Sequence, residues 1–100
     1  MPYNVIVSMR WQPGQILRVR PISRLGHSRT PGFIEGKIGR VVRDWGDFPD
    51  PEELARGNQS APLVGVYLLE FDPSELWPQK GVRHEHRVLV DVFSPNLEPL

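Results

Sequence analysis

Cysteine is absent from this chain, which excludes a disulfide framework, a thiolate metal site and a cysteine nucleophile. No apolar run approaches membrane-spanning length, and the start Met1 to Asn4 carries no basic signal region. The formal net charge is +0, which disfavours a nucleic-acid module that works by bulk charge. These absences favour a cytoplasmic protein with no membrane partner, and 100 residues suffice for one domain with a modest core.

Turn-forming residues are abundant, with 11 prolines and 9 glycines, and they favour short strands over long helices. Alternating apolar positions predict strands over 15–20, 37–43, 62–71 and 82–93, and the strand 62–71 is apolar on both faces. The faces of the second strand alternate poorly, which predicts a bulge or a strong twist near Gly39. Residues 44–50 read as an acidic, aromatic loop, and residues 96–100 read as an extended tail.

Two short helices are predicted where an aspartate precedes a proline. Asp50 would cap a helix that begins at Pro51 and stops at Gly57, and Asp72 would cap a single turn from Pro73. Four or five short strands with one or two helical turns predict a mainly β fold, a small SH3-like barrel. We expect residues 1–10 to be an arm or edge strand and residues 11–100 to be the barrel domain.

The most informative stretch is residues 26–42, whose polar first half leads into a glycine-punctuated strand. Pro31 drives Thr30 toward an extended conformation, so Arg29 lies on a loop with a restricted path. Such a loop can present a charged guanidinium to a partner. The alternative from the residues alone is a long connection between strands, with Arg29 solvated.

This stretch resembles the loop that opens the C-terminal domain of the nitrile hydratase β subunit, approximately Gly-His-Thr-Arg-x-Pro-x-Tyr-x-Arg-Gly-Lys-x-Gly. The matching residues are His27, Arg29, Pro31, Gly36, Lys37 and Gly39. Ser28 and Phe33 are mild replacements, whereas Glu35 stands where the family has arginine. The segments 11–20, 67–77 and 88–99 are similar to three further family blocks, in the same order.

The resemblance implies an enzyme that adds water to a nitrile to give an amide. In that family the metal, Co(III) or Fe(III), is held by oxidised cysteines of the α subunit, and we expect cobalt. This cysteine-free chain would be the subunit without the metal. Arg29 would hydrogen-bond the oxidised cysteine oxygens of the α subunit, because a guanidinium offers paired donors and a permanent charge. His27, Pro31, Gly36 and Gly39 would support the loop.

The family's usual β subunit also has a mostly helical N-terminal half. The chain therefore resembles a split β subunit, as in toyocamycin nitrile hydratase or thiocyanate hydrolase. The implied partners are an α subunit and a separate helical chain. Thiocyanate stays open as a substrate within this family.

Two alternatives come from other classes of protein. The segment 36–42 also resembles the Gly-x-x-Gly-x-Val core of the nucleic-acid-binding, SH3-like barrels of ribosomal and elongation-factor proteins, and the first half of the chain is rich in arginine. A scaffold chain that only completes an assembly is the plainer alternative.

Other chemistry-bearing residues are better explained by structure than by catalysis. His84 and His86 could form a metal pair but lack an obvious third ligand. The three tryptophans, Trp11, Trp45 and Trp77, are typical of core or interface aromatics. The five carboxylates between Asp44 and Glu53 read as a solvated acidic loop, since nothing fixes two of them at catalytic spacing.

Overall fold

A computed structural model describes residues 10–21, 31–77 and 86–100 of the chain. Strands and short helical turns alternate along these residues. The strands are β1 (Ile16–Val19), β2 (Ile38–Pro49), β3 (Leu63–Phe71), β4 (Val88–Phe93) and β5 (Leu97–Pro99). The helices are α1 (Pro51–Ala55) and α2 (Pro73–Leu76), with 3-10 turns η1 (Gly32–Ile34) and η2 (Ser94–Asn96). Within the described residues no helix is both long enough and apolar enough to cross a membrane.

The strands form one antiparallel sheet in the order β4-β3-β2-β1-β5. The last strand returns to the first, so that Leu97 lies opposite Val19. The predicted fold class, mainly β with one or two short helical turns, is confirmed.

One hydrophobic core lies on the inner face of this sheet. On β1, Leu17 and Val19 are fully buried while Ile16 is exposed, as the alternation of apolar residues predicts. On β4, Val92 is buried and Leu89 is exposed. The other core residues are Ile34, Val41, Tyr67, Leu69, Phe71, Leu76 and Leu97.

Strand β2 corrects the prediction of a loop over residues 44–50. It continues to Pro49 because the whole segment pairs with β3, with Phe48 opposite Val64. The predicted bulge exists but is displaced from Gly39. Irregularities fall between Val41 and Arg43 and between Asp44 and Gly46.

The acidic cluster is also corrected, since its members are structural rather than loosely solvated. Asp44 and Asp47 each accept a hydrogen bond from Arg10, at 2.7 Å for the closest contact of each pair. Asp50 and Glu52 are buried, with 6% and 7% of their surfaces exposed.

The predicted helix starts are confirmed. Asp50 accepts a hydrogen bond from the Glu52 amide at 3.0 Å, and Gly57 follows α1 with φ of 87°. Asp72 caps α2 in the same way. The predicted extended tail is instead strand β5, because it pairs with β1. Residues 1–9 of the predicted arm lie outside the described residues, so the domain boundary stays a prediction.

Candidate functional site

The candidate site is the connection between β1 and β2, where the sequence places Arg29. His27 and Arg29 belong to residues 22–30, which lie outside the described residues. We call residues 22–30 the arginine loop and residues 31–38, which follow it, the loop exit. Both flanks of the arginine loop are described, and their contacts define how the fold holds it.

The flank that precedes the arginine loop is fixed to the end of the chain. The Arg20 amide donates a hydrogen bond to the carbonyl of Asn96 at 2.8 Å. The Arg20 Nη1 atom donates to the carbonyl of Pro95 at 3.3 Å. Asn96 is fully buried, so this contact ties the loop to a rigid part of the structure.

The loop exit is fixed to β1. Pro31 has φ of −59° and ψ of 136°, and the η1 turn that follows it places Ile34 in the core. Gly36 has φ of 78°, a conformation that favours glycine, and its amide donates to the carbonyl of Val19 at 2.8 Å. The Val19 amide donates back to the carbonyl of Lys37 at 2.9 Å. The two flanks of the loop therefore meet across β1 and β2.

Of the four residues predicted to support the loop, two lie at this exit, one lies elsewhere, and His27 lies outside the described residues. Pro31 and Gly36 shape the loop exit directly. Gly39 is inside β2 and faces the ring of Phe71. Its place in the motif is explained by packing between strands.

Helix α2 and its C-cap residue Trp77 contact the loop exit at two points that the sequence did not predict. The Glu75 Oε2 atom accepts a hydrogen bond from the amide of Ile38 at 3.2 Å. The rings of Phe33 and Trp77 stack with centroids 6.0 Å apart and planes 13° from parallel. Phe33 and Trp77 both lie in segments of the sequence that resemble the family. They are far apart along the chain, so no local pattern predicts that their rings meet.

A second feature is an apolar groove on the outer face of the sheet, at the opposite end of β2. It has a volume of about 490 Å³. The residues that line it are Trp45, Phe48, Pro49, Val66, Asp91 and Phe93. The Trp45 Nε1 atom donates to Asp91 Oδ1 at 2.8 Å, and the Arg43 guanidinium lies 5.1 Å from the centre of the Trp45 ring.

The tryptophans divide between core and surface. Trp11 is partly buried and packs against the core, and its amide donates to the Tyr67 hydroxyl at 3.2 Å. Trp45 and Trp77 are 43% and 38% exposed. Trp11 thus fits the prediction of a core aromatic, while Trp45 and Trp77 each present a face to the surface.

The described residues contain no group of three or more histidine, aspartate or glutamate side chains arranged to hold a metal. His86 is exposed, and His84 lies outside the described residues. Since the chain has no cysteine, it also has no thiolate ligand to offer.

The arginines of this region are partly neutralised by carboxylates. Arg40 pairs with Glu70 at 2.5 Å across β2 and β3. Arg20 lies 3.8 Å from Glu98. The basic bias of the sequence therefore does not become an open cationic surface at these positions.

The fold and these contacts define a small β domain in which the residues on both sides of the segment 22–30 are fixed. Comparison with known proteins defines it further. A family model described as "Nitrile hydratase beta subunit, C-terminal" matches residues 2–99. The chain belongs to this family, as the resemblance of its motifs indicated.

Similar proteins agree with this membership. The chain is 31% identical over 88 residues to a nitrile hydratase subunit beta of Rhodococcus sp. It is 28% identical over 89 residues to a cobalt-containing nitrile hydratase subunit beta of Pseudonocardia thermophila. The match covers 88% and 89% of this chain but 37% of each relative, so the chain spans little more than a third of their length.

A solved structure shares the fold. A chain of the recombinant thiocyanate hydrolase apo-enzyme from Thiobacillus thioparus superposes with a TM-score of 0.84 and 22% sequence identity. The superposition covers 94% of this chain and 78% of that chain. At this identity the likeness concerns the fold alone.

Proposed function

We propose that this chain is a subunit without metal in an enzyme of the nitrile hydratase type, which adds water to a nitrile to give an amide. The observation that carries the proposal is the family match over residues 2–99. In this proposal the chain acts only within the assembly, because it has no cysteine with which to hold the family's metal.

Within this assembly, Arg29 is the residue proposed to act at the partner's metal site. An oxidised cysteine is an anion with acceptor oxygens, and burying it without a partner would be costly. A guanidinium satisfies such oxygens with paired, charge-assisted hydrogen bonds. The anchored flanks support this role, because the contacts of Arg20 and Gly36 fix the residues on either side of the arginine loop.

The proposed metal is Co(III), with Fe(III) as the alternative, and it belongs to the α subunit. The chain has no cysteine, and residues 10–21, 31–77 and 86–100 form no metal site of their own, so the role proposed for this chain is to orient the metal's ligands. When bound in the partner, such a metal supplies Lewis-acid activation. The mechanistic share of this chain is then to hold the oxidised ligands in place and to keep their charge compensated.

The proposed partners are an α subunit and a separate helical chain. The second partner is proposed from the resemblance of this chain to the C-terminal domain of a split β subunit. Thiocyanate hydrolysis is the alternative activity within the family, and the fold likeness favours neither substrate.

The first experiment is purification of this chain from its native source at high salt. We expect a cysteine-rich α subunit and a small helical chain to co-purify, together with stoichiometric cobalt or iron. Assays with aliphatic and aromatic nitriles and with thiocyanate then separate the two activities. Recovery of the chain alone and without metal would refute the proposal.

The second experiment tests Arg29 with a matched control. Arg29→Lys keeps the charge but removes the paired donors, so activity or metal retention should fall while the domain stays folded. Arg56→Lys is the control, because Arg56 is 60% exposed and lies away from the arginine loop. Arg56 follows α1, which comes after the end of β2, whereas the arginine loop precedes the start of β2. Equal activity in the two variants would remove Arg29 from the site.

A further inference from the structure

The chain contains a feature that the proposed function does not use, namely the two contacts between α2 and the loop exit. Glu75 and Trp77 are separated by one residue, and both reach across to the segment 31–38. Between them, Leu76 is 5% exposed and belongs to the core. Three successive side chains of this short segment therefore anchor it and connect it to the loop exit.

The contact of Glu75 fixes the start of β2. The Ile38 amide is the donor, and Ile38 pairs with Arg18 at the beginning of the ladder between β1 and β2. A carboxylate that accepts from a backbone amide makes a charge-assisted bond, which is stronger than a bond between neutral groups. This bond holds the last residue of the loop exit.

The contact of Trp77 fixes the other part of the loop exit. Phe33 lies in the η1 turn, immediately after the arginine loop, and its ring is 46% exposed. Trp77 is 38% exposed, so neither ring is buried in the core. The stack is therefore a local connection between two surface elements, and the core does not require it.

Helix α2 is itself well fixed, so it can act as a support. Its cap Asp72 accepts from the Ser74 amide at 2.9 Å and from the Ser74 hydroxyl at 2.8 Å. The Trp77 amide donates to the carbonyl of Pro73 at 2.8 Å, which closes the turn. Leu76, the residue before Trp77, packs in the core and so fixes this end of α2.

We propose that Glu75 and Trp77 are positioning residues that clamp the loop exit, the described segment that leads from the arginine loop into β2. Glu75 holds Ile38, and Trp77 holds Phe33. The effect of the clamp on the partner's site rests on the proposed function, whereas the clamp itself is a property of this chain.

The test of Trp77 measures amide hydrogen exchange in the full chain, residue by residue over 33–38. Trp77→Ala should accelerate exchange there roughly threefold to tenfold, as expected for the loss of one aromatic pair. Trp45→Ala is the matched control, because Trp45 is similarly exposed but lies far along β2. Trp77→Phe retains an aromatic ring and should restore most of the protection.

The test of Glu75 uses substitutions that separate the hydrogen bond from the charge. Glu75→Gln keeps an acceptor oxygen but loses the charge, so the Ile38 amide should exchange at a rate between those of wild type and Glu75→Ala. Glu75→Ala removes the acceptor and should accelerate the exchange of this amide by roughly fivefold. If Glu75→Ala is unstable, Phe33→Ala provides an independent disruption of the clamp.

Equal exchange over 33–38 in Trp77→Ala and Trp45→Ala would overturn the clamp, whatever the activity of the assembled enzyme. In the assembled enzyme, we expect Trp77→Ala to lower kcat more than Trp45→Ala does. If exchange changes as expected while Arg29→Lys and Trp77→Ala both keep full activity, the clamp stands and the proposed role of Arg29 fails. The two failures are therefore distinguishable.

Discussion

Gly39 lies against the ring of Phe71 with no room for a side chain between them. A methyl group on residue 39 would come within 2.7 Å of Phe71 Cε2 and within 3.0 Å of two further ring atoms. Phe71 is fully buried, so its ring cannot move aside cheaply. The approach of β2 to this ring explains a glycine that the motif alone suggested was part of the loop.

We predict that Gly39→Ala lowers the free energy of unfolding by about 1–3 kcal/mol, because it overpacks the core. Gly32→Ala is the control, since nothing lies within 4 Å of a methyl group there. Its effect should stay within about 0.5 kcal/mol. Urea unfolding followed by tryptophan fluorescence measures the free energy of unfolding of both variants. Equal losses of stability would show that the Phe71 ring shifts to make room for the methyl group on residue 39.

The ion pair of Arg10 and Asp44 predicts a pH dependence of stability. The Arg10 guanidinium, with help from the Gly46 amide, holds the pKa of Asp44 below its ordinary value. A lowered folded pKa stabilises the fold above about pH 4, and this contribution is lost as the pH falls through the folded pKa. Both side chains are about one-third exposed or less, so solvent weakens the pair.

Asp44→Asn should therefore cost about 0.5–1 kcal/mol at pH 7 and progressively less below pH ~4. Asp47→Asn is the control, because Asp47 is 46% exposed and makes a single contact with Arg10. Unfolding curves at pH values from 2 to 7 provide the measurement. If the stability lost in Asp44→Asn does not change with pH, the contribution of Asp44 comes from packing and not from its charge.

The cap of α2 predicts a difference between two substitutions of Asp72. Asp72→Ala removes the acceptor for the Ser74 amide and should cost about 1 kcal/mol. Asp72→Asn keeps a capping oxygen and should cost little, although it removes the charge that faces Arg87 at 4.0 Å. Thermal unfolding measures the stability of the two variants. A large loss of stability in Asp72→Asn would show that the ion pair with Arg87, and not the helix cap, is the main contribution of Asp72.

Salt dependence separates the proposed assembly from the nucleic-acid alternative. Phosphate contacts weaken steeply as the salt concentration rises, whereas a largely apolar subunit interface survives. The described ion pairs of Arg20 and Arg40 leave fewer free cations for phosphate. We expect no retention of single-stranded RNA at 0.2 M salt, about the physiological range. Tight binding with a steep salt slope would revive the alternative.

The sequence predicted the features that neighbouring residues determine. Asp50 before Pro51 and Asp72 before Pro73 are local signals, and both helices begin where they indicate. The family motifs predicted membership for the same reason, since each block is short and ordered along the chain.

Pairing between distant residues accounts for what the sequence did not show. The acidic, aromatic segment near Trp45 looked like a loop, and it is a strand because β3 provides partners for its backbone. Asp44 looked solvated because its partner Arg10 lies 34 positions away. The stack of Phe33 on Trp77 was not predicted for the same reason, since the two residues are distant in the sequence. This stack is one of the two contacts of the proposed clamp.

The return of β5 to β1 has a consequence for synthesis on the ribosome. Strand β1 is among the first parts of the sheet to be made, yet Leu97–Pro99 completes one of its two edges. Until those residues emerge, that edge of β1 has unpaired backbone groups that another nascent chain could bind. Because contacts between distant residues form slowly, the sheet closes only after translation of this region is finished. A tag or truncation that delays residues 97–99 should therefore reduce the soluble yield more than it reduces the stability of the finished protein.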